Sequence, residues 1–232
     1  MKAGRRELKK ERMWGYFIDA TVDVIEKEGI DQVTIRKVSD KAGFTSSTVY
    51  NYFQEFSHLI FFAAMRFTKD YIEELPIYIN QGTNTIEKWL YIWECFCKHS
   101  FEKPEIYSTI FISNLGSVPE DLLENYYKTY QDDLIGLPEP IRIIVLEHTF
   151  SKRSALYLQE AVDEGLIEQR DVEFISDTTM LIWKGMMSTV LNHRRKYTTE
   201  EAIRQTLFYV YESVMKVVTS DKRKEINVEF NY

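Results

Sequence analysis

Cysteine is nearly absent from this sequence: Cys95 and Cys97 are the only two in 232 residues. Two positions apart on a helix, they point to different faces and do not readily bridge, so no disulfide framework is expected. Glycine (nine) and proline (five) are also scarce, which disfavours a sheet rich in turns and favours long helices with short joints. No apolar run reaches the roughly 18 residues that a membrane helix needs. The amino terminus lacks the apolar stretch of about 7–15 residues that marks a signal peptide, so the expected location is cytoplasmic. A glycine-rich phosphate loop, a GxSxG elbow and an HExxH pair are all missing, which leaves little room for an enzyme.

What is present is apolar and aromatic. The hydrophobic share is 44%, with 15 Tyr, 14 Phe and 4 Trp. The net charge of -7 excludes a generic polyanion binder. The charge is uneven, however. Residues 1–12 hold six basic and two acidic side chains, a local +4. A basic tip on an acidic body suits a small nucleic-acid contact in one module, or merely a solubilising arm.

Apolar spacing predicts helices almost throughout, and no strand pattern persists. Trp14, Phe17, Ile18, Thr21, Val24 and Ile25 mark a first helix stopped at Gly29. Thr34 is placed to cap a second, Ile35 to Ala42, closed by Gly43. Thr45 or Ser46 caps a third, reaching about Tyr52, and a fourth runs from about Phe56 towards Pro76. Further helices cover 86–101, 104–115, the stretch after the SVPE box at 117–120 up to Gly136, and the stretch after LPEP at 137–140, through Ile144 to Gly165. Two long ones follow, about 172–192 and 198–218, the second opened by a Thr198/Glu201 capping box. The polar tail beyond is expected to fray, although Phe230 and Tyr232 could dock locally. The fold class is thus all-α with about nine helices. A three-helix domain at 1–58 precedes a larger helical domain at 59–232.

The second and third helices are short and joined by a three-to-four residue turn, the form of a helix-turn-helix. Val24, Ile35, Val38, Ala42, Val49, Phe53 and Leu59 would form its core. The surface of the third helix shows Thr45, Ser46, Ser47, Thr48, Tyr50, Asn51 and Tyr52. Hydroxyls reach phosphates and base edges, and an amide can pair with adenine, so this surface suits a major groove. Thr34 offers a second phosphate contact, and Arg36 and Lys37 add positive charge. A helix that is simply polar on its outside is the alternative.

The run GIDQVTIRKVSDKAGFTSSTVYNYFQEFSHL, residues 29–59, resembles the amino-terminal domain of TetR-type transcriptional regulators. The matching residues are Gly29, Ile30, Thr34, Ile35, Arg36, Val38, Ala42, Gly43, Phe44, Thr45, Thr48, Val49, Tyr50, Tyr52 and Phe53. The resemblance implies that Thr34, Thr45, Ser46, Ser47, Tyr50, Asn51 and Tyr52 lie at or near DNA. It also implies a homodimer on a two-fold operator, with a small-molecule effector bound in the larger domain. Two departures stand out. Ser39 replaces a usual alanine. Glu55 and Phe56 take the usual Ser/Asn cap and lysine positions, leaving Ser57 as a substitute cap.

In the larger domain, Trp89, Trp93 and Phe96 on one helix and Tyr126, Tyr127 and Tyr130 on another are candidate walls for an aromatic or apolar ligand. Nearby, Glu94 could accept a cation. The helix from 172 is apolar around much of its circumference, which suggests a partner. Trp183, Met187, Val190, Leu207, Tyr211 and Val214 are the candidate dimer residues. Cys95 and His99, four apart, could share a metal with Glu102, but no second ligand pair completes a structural site, so neither metal nor cofactor is expected. The carboxylates of EAVDEG, residues 160–165, read as a solvated face. A helical adaptor without DNA binding, and more remotely an enzyme, remain the other readings.

Overall fold

The structure is a computed structural model, and it describes residues 2–116, 122–130 and 150–232. The SVPE box, Gly136, LPEP and Ile144 lie outside the described residues. Every regular element among those described is helical. The α-helices are α1 (Lys2–Glu28), α2 (Ile35–Ala42), α3 (Ser46–Val49), α4 (Phe56–Met65), α5 (Lys69–Ile79), α6 (Thr85–Glu102), α7 (Pro104–Phe111), α8 (Leu122–Thr129), α9 (Phe150–Asp163), α10 (Asp171–Leu191) and α11 (Thr199–Val217). The helix expected from Phe56 is interrupted by a 3-10 turn at Arg66–Thr68, and α5 then runs through Pro76 to Ile79. Pro76 cannot donate to the Ile72 carbonyl, and α5 ends within one turn of it. No helix among the described residues is long and apolar enough to cross a membrane.

The chain forms two compact units: residues 1–69 with 105–131, and residues 70–104 with 132–232. Residue 58, expected as a domain boundary, lies inside α4 of the first unit.

In the first unit α1 packs on α2 and α4. Phe17, Ile18, Val24 and Ile25 are buried, as are Val38, Val49, Phe53 and Leu59. Ile35 and Ala42, also expected in this core, are only half-buried. Thr21 is fully buried because its hydroxyl donates to the Phe17 carbonyl at 2.7 Å, which satisfies it within its own helix. Trp14 stacks on Phe53 at 5.3 Å, and its indole N–H donates to the Tyr52 carbonyl at 3.0 Å. α1 is thereby pinned to the turn that follows α3. The first turn of α4 is held differently from expectation. Glu55 is the N-cap but makes no side-chain cap bond, and Ser57 does not cap either: its hydroxyl donates to the Leu115 carbonyl at 2.9 Å.

In the second unit α6 is the central helix, packed by α9 and α11, while α10 packs on α9 and α11. Its polar ends are satisfied internally. Trp89 donates to Ser154 at 3.1 Å, and Trp183 of α10 donates to Ser100 at 3.0 Å. Glu164, from the carboxylate cluster at the end of α9, accepts from the Thr85 amide at 3.0 Å and the Thr85 hydroxyl at 2.7 Å. It therefore supports the start of α6 while Glu160, Asp163 and Glu164 all stay exposed, as expected of a solvated face. The Thr198/Glu201 capping box forms as expected, with bonds of 2.8 and 3.1 Å.

The carboxyl-terminal tail does not fray. The amide of Asn227 donates to Glu87 (2.7 Å), that of Glu229 to the Tyr91 hydroxyl (3.3 Å), and that of Asn231 to Glu94 (2.5 Å). Alternate residues of an extended chain meet positions 87, 91 and 94, which share one face of α6. Phe230 packs edge-on against Tyr91 and Tyr211, both at 6.4 Å. The two carboxylates differ. Burial alone would raise the pKa of Glu87, but bonds from Asn227 and Thr83 outweigh it and hold the pKa below the ordinary value. For Glu94, burial dominates and pushes the pKa up, since one of its oxygens has no hydrogen-bond partner among the described residues. The signs of the pH effects are opposite. Glu87 contributes stability above the ordinary carboxylate range, lost as pH falls through its depressed pKa. Glu94 costs stability above its raised pKa, and acidification through that pKa recovers it. Glu94→Gln should therefore raise stability at neutral pH by about 1 kcal/mol, and Glu87→Gln should lower it by about 2 kcal/mol. Urea unfolding at neutral pH checks both; shifts of the same sign would contradict the assignment.

Candidate nucleic-acid interface

α2 starts at Thr34, whose hydroxyl accepts from the Lys37 amide at 3.3 Å, and ends at Gly43 with φ 76°. That left-handed conformation suits glycine, and it turns the chain sharply enough for the Phe44 amide to reach the Ser39 carbonyl at 2.9 Å. Ser39 is buried, and its hydroxyl lies 3.1 Å from that of Ser46 and 3.0 Å from the Arg36 carbonyl. The departure from alanine at this position thus links α2 to α3 across the turn.

α3 is a single turn, shorter than the sequence suggests. Thr45 occupies the N-cap but makes no side-chain cap bond; its hydroxyl lies 2.9 Å from those of Ser47 and Thr48. Tyr50, Asn51 and Tyr52 belong to the turn that follows, closed by bonds from the Asn51 amide to Thr48 and the Tyr52 amide to Val49. Fully buried Val49 and Phe53 anchor this segment from beneath.

The outer surface is polar, as the sequence predicts. Thr34, Arg36, Thr45, Ser47 and Asn51 are exposed, and Tyr50 is 56% exposed with its phenol outward. Ser46 and Thr48 are half-buried. Tyr52 is also half-buried, its ring 6.0 Å from Phe17, so it serves packing as well as surface. The two cations differ. Arg36 is almost free, with Asp40 at 3.7 Å, whereas Lys37 is tied to Glu28 at 2.7 Å and to the Gln32 carbonyl at 3.0 Å. Lys9, Lys10 and Arg12 are exposed on α1, and Lys10 sits 5.2 Å over the Trp14 ring. The basic segment is the helical start of α1 rather than a separate arm. Sequence reasoning gave Tyr16 no place on this surface, and it marked Ser39 and Phe44 as a departure and a match without anticipating the Ser39–Ser46 contact or the exposure of Phe44.

The other candidates divide between the units. Trp89, Trp93 and Phe96 are buried in the second unit, in a chain of rings that continues to Trp183 with spacings of 5.8, 5.6 and 5.0 Å. Tyr126, Tyr127 and Tyr130 belong to the first unit. Tyr126 lies 5.1 Å from Tyr127 and 4.9 Å from Tyr130, and the Arg66 guanidinium covers Tyr130 at 4.6 Å. Of the dimer candidates, Trp183, Met187, Leu207 and Val214 are buried inside the protomer, and Val190 and Tyr211 are half-buried. Little of their area is left for a partner. The large apolar side chains exposed on α10 and α11 are Phe174, Leu181, Phe208 and Tyr209.

Residues 17–55 match the sequence model of the family described as "Bacterial regulatory proteins, tetR family". No curated protein sequence matches the chain. Solved structures of similar fold include the Thermus thermophilus FadR, a TetR-family repressor in complex with lauroyl-CoA. It is 12% identical, with 86% of this chain and 94% of that one covered and a TM-score of 0.58. RolR in complex with resorcinol is 16% identical over 94% of each chain, with a TM-score of 0.59. The FadR of Bacillus halodurans, a fatty acid degradation regulator, is 15% identical over 85% and 93%, with a TM-score of 0.51. The match runs from Phe17 of α1 through the turn after α3, and the helix-turn-helix built there is similar to the amino-terminal domain of the TetR family of bacterial regulatory proteins.

Proposed function

We propose that this protein is a homodimeric, ligand-responsive transcriptional regulator that binds double-stranded DNA through the surface around Tyr50 and represses until an effector releases it. The observation that carries the reading is the outward cluster of Thr45, Ser47, Tyr50 and Asn51 over fully buried Val49 and Phe53. Hydroxyls, a phenol and an amide on a rigid base supply phosphate and base-edge contacts. Thr34 and Arg36 add backbone contacts. One such turn reads too few base pairs to be selective; a two-fold pair reads two half-sites.

Dimerisation would use the outward faces of α10 and α11. Leu181 is 68% exposed and Phe208 52%, with Phe174 and Tyr209 also on the surface. Gly185, on α10 in line with Leu181, has open space where a side chain would stand. A glycine inside a helix costs about 0.5–1 kcal/mol relative to alanine, which a closely approaching partner helix offsets.

The effector would be apolar or aromatic, held by the second unit's ring chain of Trp89, Trp93 and Phe96; the RolR structure holds resorcinol, an aromatic diol, and the Thermus thermophilus FadR structure holds lauroyl-CoA, whose acyl chain is apolar. Whichever arrangement the ligand prefers, it must weaken DNA binding by the factor by which DNA weakens ligand binding.

Affinity for a promoter duplex should fall linearly on a logarithmic plot as salt rises, because each neutralised phosphate releases counterions. Fluorescence anisotropy across a salt series measures the slope. A flat response, or no binding at low salt, would contradict groove docking.

A further inference from the structure

Cys95 and His99 stand four apart on α6 and share a face. The sequence offers Glu102 as the next donor, but Glu102 is exposed on the surface and is not part of their cluster. The third donor comes from α5. The Glu74 carboxylate, the Cys95 thiol and a His99 ring nitrogen lie within 4.8 Å of one another, with His99 Nε2 3.1 Å from Glu74 Oε2. Cys95 and His99 are buried, whereas Glu74 is half-buried and opens the cluster to solvent.

We propose that Glu74, Cys95 and His99 form a binding site for a divalent d-block cation of the zinc class, with one coordination position open to water or an added ligand. The donor set is one sulfur, one imidazole nitrogen and one carboxylate oxygen, the mixture that borderline divalent ions take. Tetrahedral bond lengths place such donors roughly 3.5 Å apart, so rotamer adjustments close the remaining gap. Charge also balances: thiolate and carboxylate neutralise the ion, which lowers the cost of holding it in a buried place. As the sulfur–metal bond forms, the Cys95 proton leaves to solvent.

Without metal, the Lys98 ammonium bonds the same Glu74 oxygen at 2.7 Å. It must swing into water, still protonated, when the ion enters. Lys98 is thus a competitor for the site. Cys97, buried two residues from Cys95, lies outside the cluster and serves as an internal control. A bound ion would staple α5 to α6, a role separate from reading DNA.

Cobalt(II) titration of the full chain tests the site directly. One equivalent should bring a thiolate-to-cobalt charge-transfer band in the near ultraviolet together with intense visible bands of tetrahedral cobalt, and zinc should displace both. Cys95→Ser should abolish the charge-transfer band, while Cys97→Ser should keep it. His99→Gln and Glu74→Gln should weaken binding by more than about tenfold, the loss that even outer-sphere changes can cause. Lys98→Met should tighten it. If Cys95→Ser fails to fold, the wild-type melting temperature still decides: it should rise with zinc and fall back on chelation. No charge-transfer band from folded wild type, a band that survives Cys95→Ser, weaker binding by Lys98→Met, or a melting temperature indifferent to zinc would each overturn the proposal. The DNA-binding reading would be untouched by that failure.

Discussion

Leu181→Glu should yield a folded monomer whose affinity for its operator is lower by about 100-fold or more, the lower end of what joining two binding modules supplies. Leu181 is among the most exposed large apolar residues, so a carboxylate there costs the isolated protomer little. In a pair it would place a charge in each half of an apolar interface without a partner. Gly185→Leu gives an independent check with opposite signs. Leucine is the better helix former, and a Cβ at this exposed position meets no atom within 4 Å, so protomer stability should rise by roughly 0.5–1 kcal/mol. The same side chain would hold two α10 helices apart and weaken the pair. Analytical ultracentrifugation and thermal melts read both effects. If both variants stay dimeric, the interface lies elsewhere.

Tyr50→Ala and Asn51→Ala should each weaken operator binding about tenfold or more, and the double variant about 100-fold, if the two contacts act separately. Both side chains are exposed, so melting temperatures should hardly move. Tyr52→Ala should behave differently. Its ring packs near Phe17 and is half-buried, so it should lose stability together with affinity. Anisotropy titrations with the cognate duplex, paired with melts, separate the two kinds of effect. Unchanged affinity in both Tyr50 and Asn51 variants would remove the candidate surface from the mechanism.

Local chemistry made much of this architecture legible in advance. The Thr34 cap, the Gly43 stop and the Thr198/Glu201 box each follow from one or two residues with few alternatives. The polar outside of α3 follows from burial of Val49 and Phe53 beneath it. What was not legible depends on partners distant in sequence. The tail looks unstructured because its hydrogen-bond acceptors are side chains of α6, and nothing in the spacing of Glu87 and Glu94 signals an extended partner. Spacing finds Cys95 with His99, but only the packing of α5 supplies Glu74. Periodicity shows that α10 is apolar on several sides and does not say which side faces inward. Hence the dimer candidates Trp183 and Met187 turn out to be core, while Leu181 takes the surface. Ser57 failed as a substitute cap for a similar reason, since it spends its hydroxyl on Leu115, distant in sequence.

The central claim is that two copies of the Tyr50 surface, held outward together, read a two-fold duplex. Selection of the full chain on a library of random duplexes tests it most directly. Enrichment of inverted half-sites centred about 10–10.5 base pairs apart, or a multiple of that spacing, is the expected result, with enrichment lost in the Tyr50/Asn51 double variant. A folded, paired chain that enriches no duplex, or a double variant that enriches the same one, would contradict it.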